Sequence, residues 1–177
     1  MYIVARTVLT KSDIDRALKR IAHEIIESQR GRNDLLFLGI PTRGVHLAQR
    51  LARLVSDIEP QTVDVGSLDV TMYRDDLALQ STRATAFTDI PPSGVDGRTV
   101  ILVDDVLFSG RTVRAALDAL TALGRPDIVR FAVLVDRGHR ELPIRADFVG
   151  KNLPTSTAER VNVSLTEIDG TDEVSIA

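Results

Sequence analysis

The stretch from Val100 to Thr112, VILVDDVLFSGRT, limits the possible folds more than any other part of the chain. A run of apolar, mostly β-branched residues ends in two adjacent carboxylates, Asp104 and Asp105. A small turn, Phe108-Ser109-Gly110, follows, and Arg111-Thr112 opens the amphipathic stretch VRAALDALTALG. That order predicts a buried strand over Thr99–Val103, an acidic pair, a tight loop and a helix N-terminus. Amides freed at a helix start, with the helix dipole behind them, make an anion site suited to phosphate. Carboxylates beside it can hold hydroxyl groups or a hydrated cation, so one short segment offers both halves of a sugar-phosphate site. The chain has neither a Gly-x-x-x-x-Gly-Lys loop nor a Gly-x-Gly-x-x-Gly fingerprint, which removes the two commonest nucleotide-binding turns.

The rest of the chain alternates in the same way. Ser12, with Asp15 three residues on, predicts the capped start of a helix running to about Arg30, with Ile14, Leu18, Ile21, Ile25 and Ile26 on one face. LLFLGI, residues 35–40, reads as a buried strand. Pro41-Thr42-Arg43-Gly44 reads as a loop, and VHLAQRLARLVSDI as a second amphipathic helix. Further strands are expected over 63–72, 128–135 and 146–149. Strands alternating with helices predict an α/β domain with a mostly parallel central sheet flanked by helices and joined by right-handed crossovers. Residues 73–97 are polar and turn-rich, too long for a plain connection, and read as a functional arm. Ligands of such a sheet bind beyond the carboxyl ends of its strands. Three loops should meet there: Thr42-Arg43-Gly44, Asp104 to Thr112, and Asp136-Arg137-Gly138.

Composition narrows the function classes. No apolar run approaches the roughly 20 residues that cross a bilayer, and the N-terminus does not read as a signal peptide. A cytoplasmic protein without a membrane partner is the expectation. The absence of cysteine excludes disulfides and thiolate metal sites, and the three histidines show no ligand spacing. A net charge of −3 argues against indiscriminate nucleic-acid binding and against DNA as a partner, while permitting a local basic patch.

VILVDDVLFSGRT resembles the phosphoribosyl pyrophosphate (PRPP) motif of type I phosphoribosyltransferases. The resemblance implies that fold for residues 1–177 as one domain, with a flexible arm over about 70–98 and a small hood built from the N- and C-terminal segments. It implies that Asp104 and Asp105 grip the ribose hydroxyls. Ser109, Gly110, Arg111 and Thr112 would hold the 5′-phosphate, with Val106, Leu107 and Phe108 also against substrate. Thr42, Arg43 and Gly44 would bind pyrophosphate through backbone amides, with Arg43 joining Asp104 and Asp105 as a catalytic group. Magnesium would arrive with PRPP, near the two aspartates, without a site held by the protein alone.

With IAHEII, PTRGVHLAQRLA, DVTMYRDDL and above all VDRGHRELPIRADFVGKNLPTS, the chain from about Ala5 to Asp169 is similar to the PyrR family, regulators of pyrimidine operons that double as uracil phosphoribosyltransferases. That resemblance implies uracil read near Arg137, Gly138 and Val161. It also implies conversion of uracil and PRPP to UMP and pyrophosphate, and binding of pyr operon mRNA leaders promoted by UMP or UTP. Two basic groups are candidate RNA contacts: Arg16, Lys19, Arg20 and His23 on the first helix, and His139, Arg140, Arg145 and Lys151. RGHREL carries more charge than a turn needs, and the acidic tail from Thr166 is expected to face away from RNA. Neither basic group contains a Phe or Tyr for base stacking. A homodimer or higher homo-oligomer is expected from the family. The competing readings are an RNA-binding regulator with negligible catalysis and a purine phosphoribosyltransferase without an RNA role.

Overall fold

Strands that are apolar at every position need cover on both faces, and LLFLG and TVILV obtain it. The computed structural model describes residues 4–76 and 87–177. In chain order these form β1 (Arg6–Leu9), α1 (Lys11–Gln29), β2 (Leu35–Gly39), α2 (Arg43–Ile58), β3 (Asp64–Ser67) and a 3-10 turn (Thr71–Tyr73). Then come β4 (Thr99–Leu107), α3 (Arg111–Leu123), β5 (Ile128–Asp136), β6 (Phe148–Asn152), β7 (Val161–Ser164), the short α4 (Thr166–Asp169) and β8 (Glu173–Ile176). A parallel sheet in the order β3-β2-β4-β5-β6 carries the fold, and β1-β8-β7 form a separate antiparallel sheet.

Alternate residues of the central strands feed two cores. Leu35, Phe37, Ile101, Val103, Ala132 and Leu134 pack with α1 and α2. Leu36, Leu38, Val100, Leu102, Phe131 and Val133 face the other way, onto Val113, Ala116 and Leu120 of α3. With apolar side chains on both faces, strand alternation disappears from the sequence, and only run length and β-branching mark these segments as strands.

Four boundaries differ from expectation, each for a local reason. The α1 cap is Thr10, not Ser12. The Thr10 hydroxyl accepts the Asp13 amide at 3.3 Å, and Asp13 accepts the Thr10 amide at 2.9 Å. Thr10-x-x-Asp13 and Ser12-x-x-Asp15 both suit a capping box, and β1, which sequence patterning passed over, ends at Leu9 and selects the earlier one. The strand expected over 63–72 stops at Ser67, because Asp69 accepts the Thr71 amide at 3.0 Å and hydroxyl at 2.6 Å and turns the chain. The strand expected over 146–149 starts later, at Phe148. β4 continues to Leu107 instead of stopping at Val103, since β5 runs alongside it to Asp136 and extends the ladder. The acidic pair is therefore part of a strand. Of the arm expected over 70–98, residues 77–86 lie outside the described residues. Residues 87–97 return along β3, with Ser67 and Asp89 bridged. No helix among the described residues is long and apolar enough to cross a membrane.

The tail from Thr166 folds back onto α2. Arg50 donates to Glu167 through Nε at 2.8 Å and to both Asp172 oxygens at 2.8 Å, and Asp172 also accepts the Thr166 amide and hydroxyl. The Arg50 guanidinium holds both Glu167 and Asp172 below their ordinary values. Carboxylates depressed in the folded state contribute stability above their unfolded range and lose it as pH falls. Arg50→Ala should destabilise the protein by about 3 kcal/mol at pH 7, because it leaves the buried Asp172 charge without its partner. The difference from wild type should shrink as the pH drops below about 4. Denaturant unfolding at the two pH values checks both expectations.

Candidate functional site

Three parallel strands end at one edge, and their loops are joined by backbone hydrogen bonds. The Ile40 amide donates to Val103 O at 2.8 Å and the Arg137 amide to Leu107 O at 3.1 Å. Glu141 and Leu142 amides both donate to Ser109 O, at 2.9 and 3.2 Å. Gly44 allows the start of α2 to lie against β4, since a Cβ there would sit 2.4 Å from Val103 O. Gly110 caps α3 at φ 94°, a left-handed conformation that other residues rarely adopt.

Two adjoining cavities open at this edge. The smaller, about 240 Å³, is lined by Asp104, the 106–113 segment and Arg74 to Asp76. The larger, about 540 Å³, is lined by Ile40 to Arg43, Asp69 to Thr71, Asp104, Asp105 and Thr112. Arg74, Asp104, Val106 and Thr112 belong to both. Each carboxylate is held by the amide that follows it: Asp105 N–H to Asp104 Oδ1 and Val106 N–H to Asp105 Oδ1, both at 2.8 Å. Burial, reinforced by the neighbouring Asp105 charge, pushes Asp104 well above the ordinary carboxylate range. Such a pair favours a cation or hydroxyl donors between its oxygens. Its hard oxygens suit magnesium shared with a phosphate ligand. Among the described residues no cluster of three His, Cys, Asp or Glu could hold a metal by itself.

The expected phosphate loop thus lines the small cavity from Val106 through Leu107, Phe108, Ser109, Gly110 and Arg111 to Thr112. The Arg111 side chain, at the edge of this cavity, is held by Asp75 at 2.5 Å and Glu141 at 3.4 Å, and its amide donates to Ser109 Oγ at 3.3 Å. Thr42 and Arg43 reach the large cavity, while Gly44 is buried behind them.

The third loop is braced by its own cations. Arg137 is 8% exposed and donates to Thr155 Oγ1, Ser156 O and Glu159 O at 2.8–3.1 Å. Its guanidinium lies 4.3 Å above the Phe108 ring, against which His139 packs edge-on. These bonds tie Arg137 and exposed Gly138 to the chain entering β7 at Val161. His139 Nε2 donates to Thr155 O at 2.5 Å. Arg140 donates to Ile144 O, Phe108 O and Asp136 at 2.5–2.9 Å. Burial would raise Asp136, but Arg140 and the Gly138 amide hold it below the usual range. The charge of RGHREL beyond what a turn needs is therefore spent on packing. Its charges satisfy carbonyls up to 32 residues away, which no local pattern reveals.

On the outer face, Arg20 donates to Val149 O and Gly150 O at 3.1 and 2.7 Å, docking α1 on β6. This places Arg16, Arg20 and Lys151 around one groove. Lys19, His23 and Arg145 are exposed. Lys19, Arg145 and Lys151 have no ion pair among the described residues, whereas Arg16 pairs with Asp13 and Arg20 with Glu24.

Sequence reasoning missed Asp69, Thr71 and Arg74 as cavity residues, and Asp169 as a partner of Arg43, bonded at 2.9 Å. Arg74 follows a turn made only once Asp69 folds the chain. Asp169 lies in a segment read merely as an acidic tail.

Residues 6–166 match the phosphoribosyl transferase domain family. A protein of Streptomyces coelicolor named Bifunctional protein PyrR is 64% identical over 170 residues, 96% of this chain and 88% of its own. One of the same name from Leifsonia xyli is 63% identical over 179 residues, covering 98% and 97%. Among solved structures, a hypoxanthine-guanine phosphoribosyltransferase of Bacillus anthracis superposes with a TM-score of 0.74 at 18% identity, covering 97% of this chain and 98% of that one. A hypoxanthine phosphoribosyltransferase of Trypanosoma cruzi gives 0.72 at 19% identity, covering 98% and 92%. At such identities the likeness speaks for the fold alone. The parallel sheet, the strand-borne acidic pair and the relatives' identity over nearly the whole chain place it in the phosphoribosyl transferase domain family, among the PyrR proteins.

Proposed function

We propose that the chain converts uracil and PRPP to UMP and pyrophosphate, and binds the leader of pyr operon mRNA in response to UMP or UTP. The observation that carries the catalytic half is the pair of adjoining cavities sharing Asp104, one bounded by the α3 N-terminus and the other by the α2 N-terminus. Two helix starts facing one carboxylate pair suit a sugar carrying phosphate groups at both ends. The Ser109 to Thr112 loop holds the 5′-phosphate, and Asp104 and Asp105 hold the ribose hydroxyls. Thr42 to Gly44 receive the pyrophosphate, with Arg43 at that end.

As the bond to pyrophosphate breaks, positive charge grows on the ribose ring, and the carboxylates beside it lower the energy of that state. Magnesium arriving with PRPP would be held near Asp104 and Asp105, where it would supply charge neutralisation for the leaving pyrophosphate. Arg74 and Asp76, paired at 2.8 Å, stand at the root of the arm that excludes water from the activated sugar. Uracil lies by Arg137, Gly138 and Val161, on a floor made rigid by the Arg137–Phe108 stack, and the small sheet carrying β7 acts as the hood. The support for uracil over a purine is the identity to PyrR proteins. The hypoxanthine enzymes share only the fold.

For RNA, docking of α1 on β6 supports a basic surface centred on Arg16, Arg20 and Lys151, to which exposed Lys19, His23 and Arg145 add from its surroundings. His139 and Arg140 are committed inward, and in this reading they couple site occupancy to that surface. A homo-oligomer in the cytoplasm, with two copies of the surface side by side, completes the reading.

UMP formation from uracil and PRPP, set against hypoxanthine, guanine and adenine, tests the enzyme. Preference for a purine, or no UMP above background, would sink it. Asp105→Asn should lower kcat/KM by at least about 100-fold while thermal stability holds. Lys151→Ala should weaken leader RNA, reduce the slope of log affinity against log salt by about 1, and leave UMP synthesis intact in a gel-shift and turnover comparison. Arg140→Ala should impair both activities, since it removes the brace between Phe108 O and Asp136.

A further inference from the structure

Arg43 and Arg50 lie two turns apart on α2 and both reach the same folded-back segment, yet they use their guanidinium groups differently. Arg50 engages all three nitrogens: Nε and Nη2 with Glu167, Nη1 and Nη2 with Asp172. Among the described residues Arg43 engages only Nη2, which both oxygens of Asp169 hold at 2.9 and 3.2 Å. Its Nε is buried without a partner, and its side chain lines the cavity shared with Asp104 and Asp105. Asp169 is itself fixed, because Oδ2 accepts the Leu165 amide at 2.8 Å. The Leu165 amide, with Arg43, keeps this carboxylate below its ordinary value, hence charged. One arginine is saturated glue. The other is gripped by a single nitrogen, and its Nη1 is left for an acceptor that the described residues do not supply.

We infer that Asp169 is a positioning residue: by gripping one nitrogen of Arg43 it aims the guanidinium at the pyrophosphate end of the cavity. The inference rests on the proposed reading of Thr42 to Gly44 as the pyrophosphate loop, and gives that loop a determinant 126 residues away in the chain. A long cationic side chain loses rotamer freedom when it captures an anion. Holding it in place beforehand removes part of that cost and fixes the approach of the leaving group. The pair is a quarter to a third exposed, so solvent screens it and the guanidinium can keep Asp169 while donating to a phosphate oxygen elsewhere. Asp169 thus acts on PRPP and pyrophosphate through Arg43, without touching uracil.

The test measures pyrophosphate binding to the whole protein by calorimetry, alongside steady-state UMP formation, for Asp169→Asn, Asp169→Glu, Arg50→Gln and the Arg43→Ala, Asp169→Asn pair. Asp169→Asn should weaken pyrophosphate and raise KM for PRPP about tenfold, with KM for uracil nearly unchanged. Asp169→Glu, which keeps the charge, should recover most of the loss even if Asp169→Asn folds poorly. In the Arg43→Ala background, Asp169→Asn should add nothing. Unchanged or tighter pyrophosphate binding in Asp169→Asn overturns the inference. So does an equal PRPP-specific defect in Arg50→Gln, which would reduce the effect to docking of the small sheet. Wild-type protein that neither binds pyrophosphate nor makes UMP overturns the functional reading beneath it instead.

Discussion

β4 is the constraint on which the rest depends. It occupies the middle of a five-stranded parallel sheet, with helices over both faces, yet it carries two carboxylates before it ends. A charged pair at such a position is unfavourable unless the chain supplies hydrogen bonds and the ligand supplies positive charge or donors. The following amides provide the first, and the cavity edge leaves room for the second. Because β4 pairs with β5 as far as Asp136, the acidic pair, the phosphate loop and the Arg137 loop share one rigid ladder. Their relative positions are then properties of a sheet, which is stiffer than any set of loops.

Elsewhere the same molecule uses charge as internal bracing. Arg137 and Arg140 spend their donors on backbone carbonyls and Asp136, and so hold a non-regular segment that lacks neighbours to form a ladder. Arg50 does likewise for the acidic C-terminal turn, which a net-charge view would leave in solvent. A planar fork with five donors suits this work because it can satisfy several carbonyls or carboxylates at once. The consequence is that cations near the site are mostly spoken for, while Lys19 on α1 and Lys151 on β6 are exposed and have no ion pair among the described residues. That division separates a catalytic interior from an exterior suited to phosphates.

Regulation needs the two regions to communicate, and the geometry offers short paths. Phe108, in the phosphate loop, touches Arg137 and His139 and gives its carbonyl to Arg140. Thr155 accepts from both Arg137 and His139, and β6, on which α1 docks through Arg20 at Val149 and Gly150, ends three residues before it at Asn152. In the proposed reading, these contacts are the route by which occupancy of the 109–112 loop reaches Arg20 and Lys151.

Much of this was written locally. The parallel α/β class, the strand-loop-helix at Val100 to Thr112 and the two amphipathic helices follow from run length, β-branching and 3.6-residue periodicity, all of which are properties of neighbouring residues. The acidic pair and the glycine-capped loop were equally legible, because a phosphate site at a helix start is built from consecutive residues. The choice of Thr10 over Ser12 as a cap was not, since two equivalent boxes compete and only β1, paired with β8 at the far end of the chain, decides between them. Nor was the joining of Arg16 with Lys151, the inward turn of Arg140, or the meeting of Arg43 with Asp169. The sequence by itself determined the strands of the central sheet, the helices that cover it and what chemistry one loop can perform. Only the tertiary structure decided which charges face the ligand, which face solvent and which brace the fold, because a charged side chain finds its partner through space, at distances along the chain that carry no local signal.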